Sequence, residues 1–173
     1  MMKPRFLTLV GMIAMAAVIR LLPHPWNMTP VSAMALFGGA HFRRPLFAFG
    51  VPLLAMVASD AFLGFDSQTP LIYACFALIV VIGFWIKRDR SAQRITVGSL
   101  AASVLFFIVT NFGTWASGIL YPRTGAGLAM CYAAGLPFFR NTILGDLGYT
   151  SILFGTFYLA GRAFPVLSDA KAS

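Results

Sequence analysis

The stretch LIYACFALIVVIGFWI, residues 71–86, runs for sixteen residues without a charge or a proline. Coiled as an α-helix at 1.5 Å per residue it is roughly 24 Å long. Thr69-Pro70 in front of it offers a cap candidate and a proline suited to the first helical turn, and Lys87 closes it. With those flanks the segment approaches the ~30 Å hydrocarbon core of a bilayer. One such run fits the buried helix of a soluble domain equally well, so the decision rests on how often the pattern recurs.

It recurs along most of the chain. Of 173 residues 59% are hydrophobic and only 10% charged, and the mean hydropathy is +0.82. That composition excludes an ordinary soluble domain and places the chain among polytopic helical membrane proteins. The net charge of +8 then reads as an orientation signal rather than a nucleic-acid signal, because Lys and Arg set the sidedness of membrane helices. No nucleic-acid partner is expected, and membrane lipid is. The two cysteines supply neither a disulfide framework nor a zinc spacing, although their number allows a single Cys75–Cys131 bridge.

Apolar runs and breakers predict an all-α fold of one domain, residues 1–173. Its six transmembrane helices fall at roughly 6–22, 30–41, 46–64, 70–87, 95–120 and 140–163. Thr29-Pro30 and Thr69-Pro70 mark two helix starts, and residues 124–138 read as a short helix or re-entrant piece ending before Pro137. The start of the chain imitates a signal peptide, with Lys3 and Arg5 ahead of FLTLVGMI and then AMA at 14–16. The apolar stretch continues to Leu22, and the topology requires this helix to be retained.

Alternating the helix ends puts Lys3, Arg5, Arg43, Arg44, Lys87, Arg88, Arg90, Arg94, Arg162 and Lys171 on one side, and Arg20, Arg123 and Arg140 on the other. By the positive-inside rule the crowded side, with both termini and the 87–94 loop, is cytoplasmic. Counting 30–41 as a crossing is what preserves this asymmetry.

Orientation gives each polar residue a depth. Arg20, His24, Asp60, Cys75, Asn111 and Trp115 fall in the outer half, as do Arg140 and the set Thr142, Asp146 and Tyr149 on one face of the last helix, while the inner half is almost wholly aliphatic and aromatic. Charges at membrane depth are costly unless they are paired or face water. Two readings follow: an outward-facing solute pocket with Asp60, Asp146 and Arg140 at its wall, or ion pairs and capped ends that hold the bundle together. Asp60 in VASDAFLGF is the leading site candidate, with pairing to Arg20 as its structural alternative. His24 in PHPWN is either a lid residue or a solvated loop histidine. Asn111 and Trp115, four residues apart on one helix face, serve as ligand contacts or as interhelical glue and interfacial aromatic. Cys75 is a reactive thiol or a small buried hydrophobe. No phosphate loop, HExxH, GxSxG or CxxCH occurs, so neither ATP hydrolysis nor a standard hydrolase is encoded.

The stretches LLPHPWNMTPVSAMALFGGAHF (21–42), VASDAFLGF (57–65), LIYACFALIV (71–80), TNFGTW (110–115) and LPFFRNTILGDLGY (136–149) together resemble the six-helix substrate-binding subunits of energy-coupling-factor vitamin transporters. More closely, they resemble the BtuM-like cobalamin transporters of Gram-negative bacteria. The likeness runs from Arg20 to about Arg162. It implies a multi-pass protein of the bacterial inner membrane that takes up cobalamin or a related corrinoid, with no intrinsic cofactor. It also implies that Cys75 supplies a thiolate to the corrin cobalt and displaces cyanide from cyanocobalamin, an ancillary enzyme-like step. His24, Asp60, Tyr73 and Arg140 fall where such proteins carry further polar site residues. A soft thiolate suits a soft metal centre, although burial opposes its ionisation.

Coupled members of that family carry an AxxxA face on the first helix for an energy-coupling module. Here Gly11, Ala14, Ala16 and Ala17 depart from that spacing, and Ala35-x-x-x-Gly39 on the second helix offers a substitute. The rival readings are a membrane thiol or redox enzyme using Cys75 and Cys131, a transporter subunit for a different vitamin, and an assembly subunit whose polar residues only join helices.

Overall fold

The structure is a computed structural model that describes residues 3–25 and 27–168; Trp26 of the PHPWN loop and Lys171 of the charge pattern lie outside them. Six α-helices follow one another: α1 Pro4–Ile19, α2 Val31–His41, α3 Pro45–Leu63, α4 Thr69–Lys87, α5 Ala92–Ser117 and α6 Gly125–Ala163, with a 3₁₀ turn at Pro165–Leu167. No strand occurs among the described residues. Four helices, α3 to α6, are long and apolar enough to cross a membrane, and α1 and α2 are shorter apolar helices. Large apolar side chains such as Leu54, Phe62, Val81 and Ile152 point outward, as lipid-facing positions do. The chain is a helical membrane protein.

Prolines open α1, α3 and α4, where their missing N–H costs nothing. The Ser91 and Thr124 hydroxyls accept from the Arg94 and Gly127 amides to cap α5 and α6. α1 stops at Ile19 rather than near 22 because Pro23 disfavours helical geometry at Leu22. α5 stops at Ser117 rather than near 120 because Gly118 takes a left-handed φ of 69° as its cap. The expected cap Thr69 is already the first residue of α4, and its hydroxyl bonds the Asp66 carboxylate instead.

The helix expected at 140–163 begins at Gly125, so residues 124–138 do not form a separate piece and Pro137 lies inside a 39-residue helix. A proline removes one backbone bond but need not end a membrane helix when neighbours hold both sides. Before it, the Tyr132 hydroxyl donates to the Ile108 carbonyl at 2.7 Å. After it, Phe139 stacks on Phe107 with ring centres 4.5 Å apart.

α2 is the hub. Every residue from Val31 to His41 is buried, as befits a helix that is apolar all round, and it packs against each of the other five helices. Its small residues allow backbone contact with α4: a Cβ on Gly83 would sit 2.6 Å from the Leu36 carbonyl oxygen and 2.8 Å from the Gly39 Cα. That contact uses up the Ala35-x-x-x-Gly39 face, so it is not on the surface for a coupling subunit. On α1, Gly11 and Ala14 are exposed while Ala16 and Ala17 are buried. Eleven residues reach only roughly 16 Å; ahead of α2, Met28 packs on Gly145 of α6, while residues 21–25 and 27 are exposed.

One end of the bundle gathers the basic residues. Arg5 of α1, His41 of α2, Arg90 of the α4–α5 turn and Arg162 of α6 border a single cleft there. The described start and finish of the chain therefore lie at the same end.

Candidate solute site

At the opposite end, α1, α3 and α4 are joined by one linkage. The Asp60 carboxylate, 5% exposed, meets the Arg20 guanidinium at 2.5 Å and accepts from the Tyr73 hydroxyl at 2.7 Å on its other oxygen. Arg20 also donates to Ser59, whose hydroxyl donates back to the Met56 carbonyl. Both carboxylate oxygens thus have a donor, and the pairing alternative raised for Asp60 is the arrangement found. Tyr73 joins it from the α4 face that flanks the fully buried Cys75.

A cavity of about 160 Å³ opens separately between Asn27, α5 and α6. Asn27, Thr110, Asn111, Thr114 and Thr142 supply its polar wall, and Phe107 and Phe139 its apolar one. Asn27 adopts a left-handed φ of 61°, which Asn tolerates better than most side chains. The Asn111 amide donates to the Phe107 carbonyl of its own helix at 2.8 Å. Gln68 at the start of α4 donates to Thr114 at 2.7 Å, closing the cavity's α4 side.

Asp146 is not at this level. Its carboxylate accepts from Ser103 at 2.7 Å and from Ser32 of α2, with Ser99 and Thr150 in contact below. α5 and α6 run antiparallel, with Gly135 against Asn111 and Asp146 against Ser103. From Asn111 to Ser103 is eight residues (111 − 103), or roughly 12 Å of helix. The expectation of a single polar level in the outer half is therefore corrected: Asp146 lies near the middle of α5, beneath the segment 21–30. Its partners are neutral hydroxyls, and no described cation lies within ion-pair distance.

The remaining candidates disperse. His24 is exposed, with Nδ1 donating to the Leu22 carbonyl at 2.6 Å. Arg140 is exposed on α6 and joins neither Asp60 nor Asp146. The Trp115 indole donates to the Pro122 and Thr124 carbonyls, each at 3.1 Å, so it pins the α5–α6 turn. Cys75 lines none of the described cavities. Cys131 is buried with its thiol directed at the Asn111 carbonyl, 3.3 Å away, and both cysteines are free, so the bridge that their number allows is not formed.

Sequence reasoning missed Ser32, Ser99, Ser103 and Thr150, all buried. Ser99 and Ser103, four residues apart in an apolar helix, share a face, and that spacing was the available signal for the Asp146 site. It also missed Asn27, which the inward fold of its segment brings to the cavity.

The register of α2 and α4 bears on Cys75. They run parallel, with Gly39 against Gly83, and counting back eight residues on each (39 − 8 and 83 − 8) sets Val31 level with Cys75. The inner end of the segment 21–30 and the buried thiol are thus at one depth.

No curated protein and no solved structure matches the chain. Residues 1–167 match the family of unknown function DUF6580, and the chain belongs to that family.

Proposed function

We propose that the chain is a multi-pass protein of the bacterial cytoplasmic membrane that captures cobalamin or a related corrinoid at the outer face and takes it up. In this reading six segments cross the bilayer, the basic end and both termini are cytoplasmic, and the Asn27–Asn111 cavity opens outward. The observation that carries the reading is the inner end of the segment before α2, where Met28 packs on Gly145 beside the polar cavity that Asn27 lines, next to Val31 at the depth of Cys75. Small-molecule sites usually enclose about 300–1,000 Å³, far more than this cavity, so the conformation described is the closed one and the segment 21–30 is what moves.

Its withdrawal wets the site and exposes Cys75. The thiol then gives up its proton and its sulfur binds cobalt; cyanide leaves the metal and takes a proton as hydrogen cyanide, with no change of oxidation state. Ionisation of a thiol in apolar surroundings is unfavourable, so opening precedes coordination. The resemblance to BtuM-like transporters supplies the choice of ligand, and the softness of sulfur supports it.

Visible absorption of the purified protein with cyanocobalamin tests this, because an axial ligand change alters the corrin spectrum. Wild type and Cys131→Ser should shift the spectrum and release cyanide, and Cys75→Ser should do neither while remaining folded. Absence of any bound corrinoid, or an unchanged reaction in Cys75→Ser, overturns the assignment.

A further inference from the structure

Asp146 takes no part in the proposed capture of a corrinoid, yet it is a carboxylate at membrane depth and only 2% exposed. Ser103 of α5 lies 2.7 Å from its Oδ2, and Ser32 of α2 bonds it as well. One turn along the same two helices, the Ser99 and Thr150 hydroxyls meet at 3.5 Å.

The elements packed against α6 bring no described cation to this depth. The other titratable groups of α2 and α5 are His41 and Arg94, each nine residues from the serine of its own helix (41 − 32 and 103 − 94), roughly 13 Å toward the basic end. On α6 itself Tyr149 is half-buried against the core, and Arg140, six residues before the carboxylate (146 − 140), is exposed. His24, ahead of α2, is also exposed. An ionised carboxylate held by two hydroxyls alone is costly in such surroundings.

A proton removes that cost and suits the geometry. The Ser103 oxygen also lies 3.2 Å from the Ser99 carbonyl, and its single proton serves one acceptor at a time. With a proton on Asp146 the carboxyl donates to Ser103, Ser103 donates to the Ser99 carbonyl, and each O–H has its own acceptor. A separation of 2.7 Å fits an O–H···O bond in either direction.

The carboxyl is also tied to the chain ahead of α2. Met28 packs on Gly145, the residue before Asp146, where a Cβ would lie 3.1 Å from the Met28 Cα. Four residues later Ser32 bonds Asp146 itself. The stretch 28–32 therefore holds α6 at two successive residues.

We propose that Asp146 is a proton-binding site whose proton holds 28–32 against α6 in the closed conformation. On opening, the proton passes to the water that enters; on closing, Asp146 takes one back. Intramembrane carboxyls serve this way in proton-coupled transporters. The inference rests on the reading that the chain ahead of α2 moves, and not on which solute is captured.

Infrared spectra of the purified protein at neutral pH, with no corrinoid present, should contain the carbonyl band of a protonated carboxyl, and Asp146→Asn should lose it. If that variant does not fold, Ser103→Ala carries the comparison, its band shifted to higher frequency by loss of the acceptor. Opening is read by maleimide labelling of Met28→Cys in a Cys75→Ser/Cys131→Ser background. The open state binds one proton fewer, so the labelling rate relative to that in Asp146→Asn should rise with pH, by at most about tenfold per unit for one proton. No protonated band, a band that survives in Asp146→Asn or stays unshifted in Ser103→Ala, a flat ratio, or labelling set by sodium instead of pH overturns the proposal. Corrinoid binding by a protein that fails these tests leaves the uptake reading standing, and passing them without corrinoid binding leaves the proton site standing.

Discussion

The Asp60 carboxylate is the residue on which structural and functional roles separate most clearly. It is buried and holds both the Arg20 guanidinium and the Tyr73 hydroxyl, so removing it strands a cation. Asp60→Ala should lose about 3–5 kcal/mol, the usual cost of breaking a buried pair. The double variant Asp60→Ala/Arg20→Leu should recover most of that loss, as thermal unfolding in detergent would register. Recovery in the double variant with corrinoid binding intact would assign the linkage to stability alone, whereas lost binding in a restored fold would assign it to the site. Tyr73→Phe removes one hydrogen bond to a charged group and should cost about 1.5–3 kcal/mol in the same measurement. Asp60 was legible in the sequence as a charge at membrane depth. Which of its two roles it plays was not, because that depends on Arg20, forty residues away (60 − 20) at the end of a neighbouring helix.

Among the elements, α2 sets the close packing of the bundle. Gly83→Ala forces a methyl group against the backbone of Leu36 and Gly39, where no side chain can rotate away, and overpacking of this kind costs about 1–3 kcal/mol. Gly148→Ala, which meets open space, should leave the unfolding temperature within a degree or two of wild type. Equal behaviour of the two variants would remove the α2–α4 contact from its place at the centre of the fold. The apolar segment 30–41 was readable in the sequence and was counted there as a crossing. That the helix is surrounded by five others, instead of spanning on its own, required knowing what packs on each face. Pro137 failed as a stop signal for a related reason: it breaks a helix only where nothing outside the helix supports the freed backbone.

For the molecule as a whole, the proposed uptake cycle depends on the segment 21–30 leaving its place. A Cβ on Gly145 would lie 3.1 Å from the Met28 Cα, so the two positions are direct neighbours and cysteines there are candidates for a bridge once the backbone yields by a few tenths of an ångström. In a Cys131→Ser background that keeps Cys75, the pair Met28→Cys and Gly145→Cys should block corrinoid binding when oxidised and restore it on reduction. Undiminished binding by the oxidised protein would show that the segment is not the gate. Sidedness is a separate matter, resting on the gathering of Arg5, Arg90 and Arg162 at one end. Reporter fusions at both termini and within 87–94 should be active only in the cytoplasm, and an external C-terminus would sink the six-crossing scheme.

The sequence by itself determined the membrane class, the helical fold and the starts of most helices, because apolar length, proline position and caps act within a few residues of chain. It also marked the basic end, since the identity of Lys and Arg along alternating turns needs no packing to be read. Only the tertiary structure decided that Asp60 is paired, that Asp146 lies about 12 Å deeper than Asn111, that Asn27 reaches the cavity and that Cys75 is sealed. Each of these depends on how far one helix slides past another and on the chain ahead of α2 bringing Met28 against Gly145. Those choices are made by contacts between residues distant in sequence, whose energies no local pattern records.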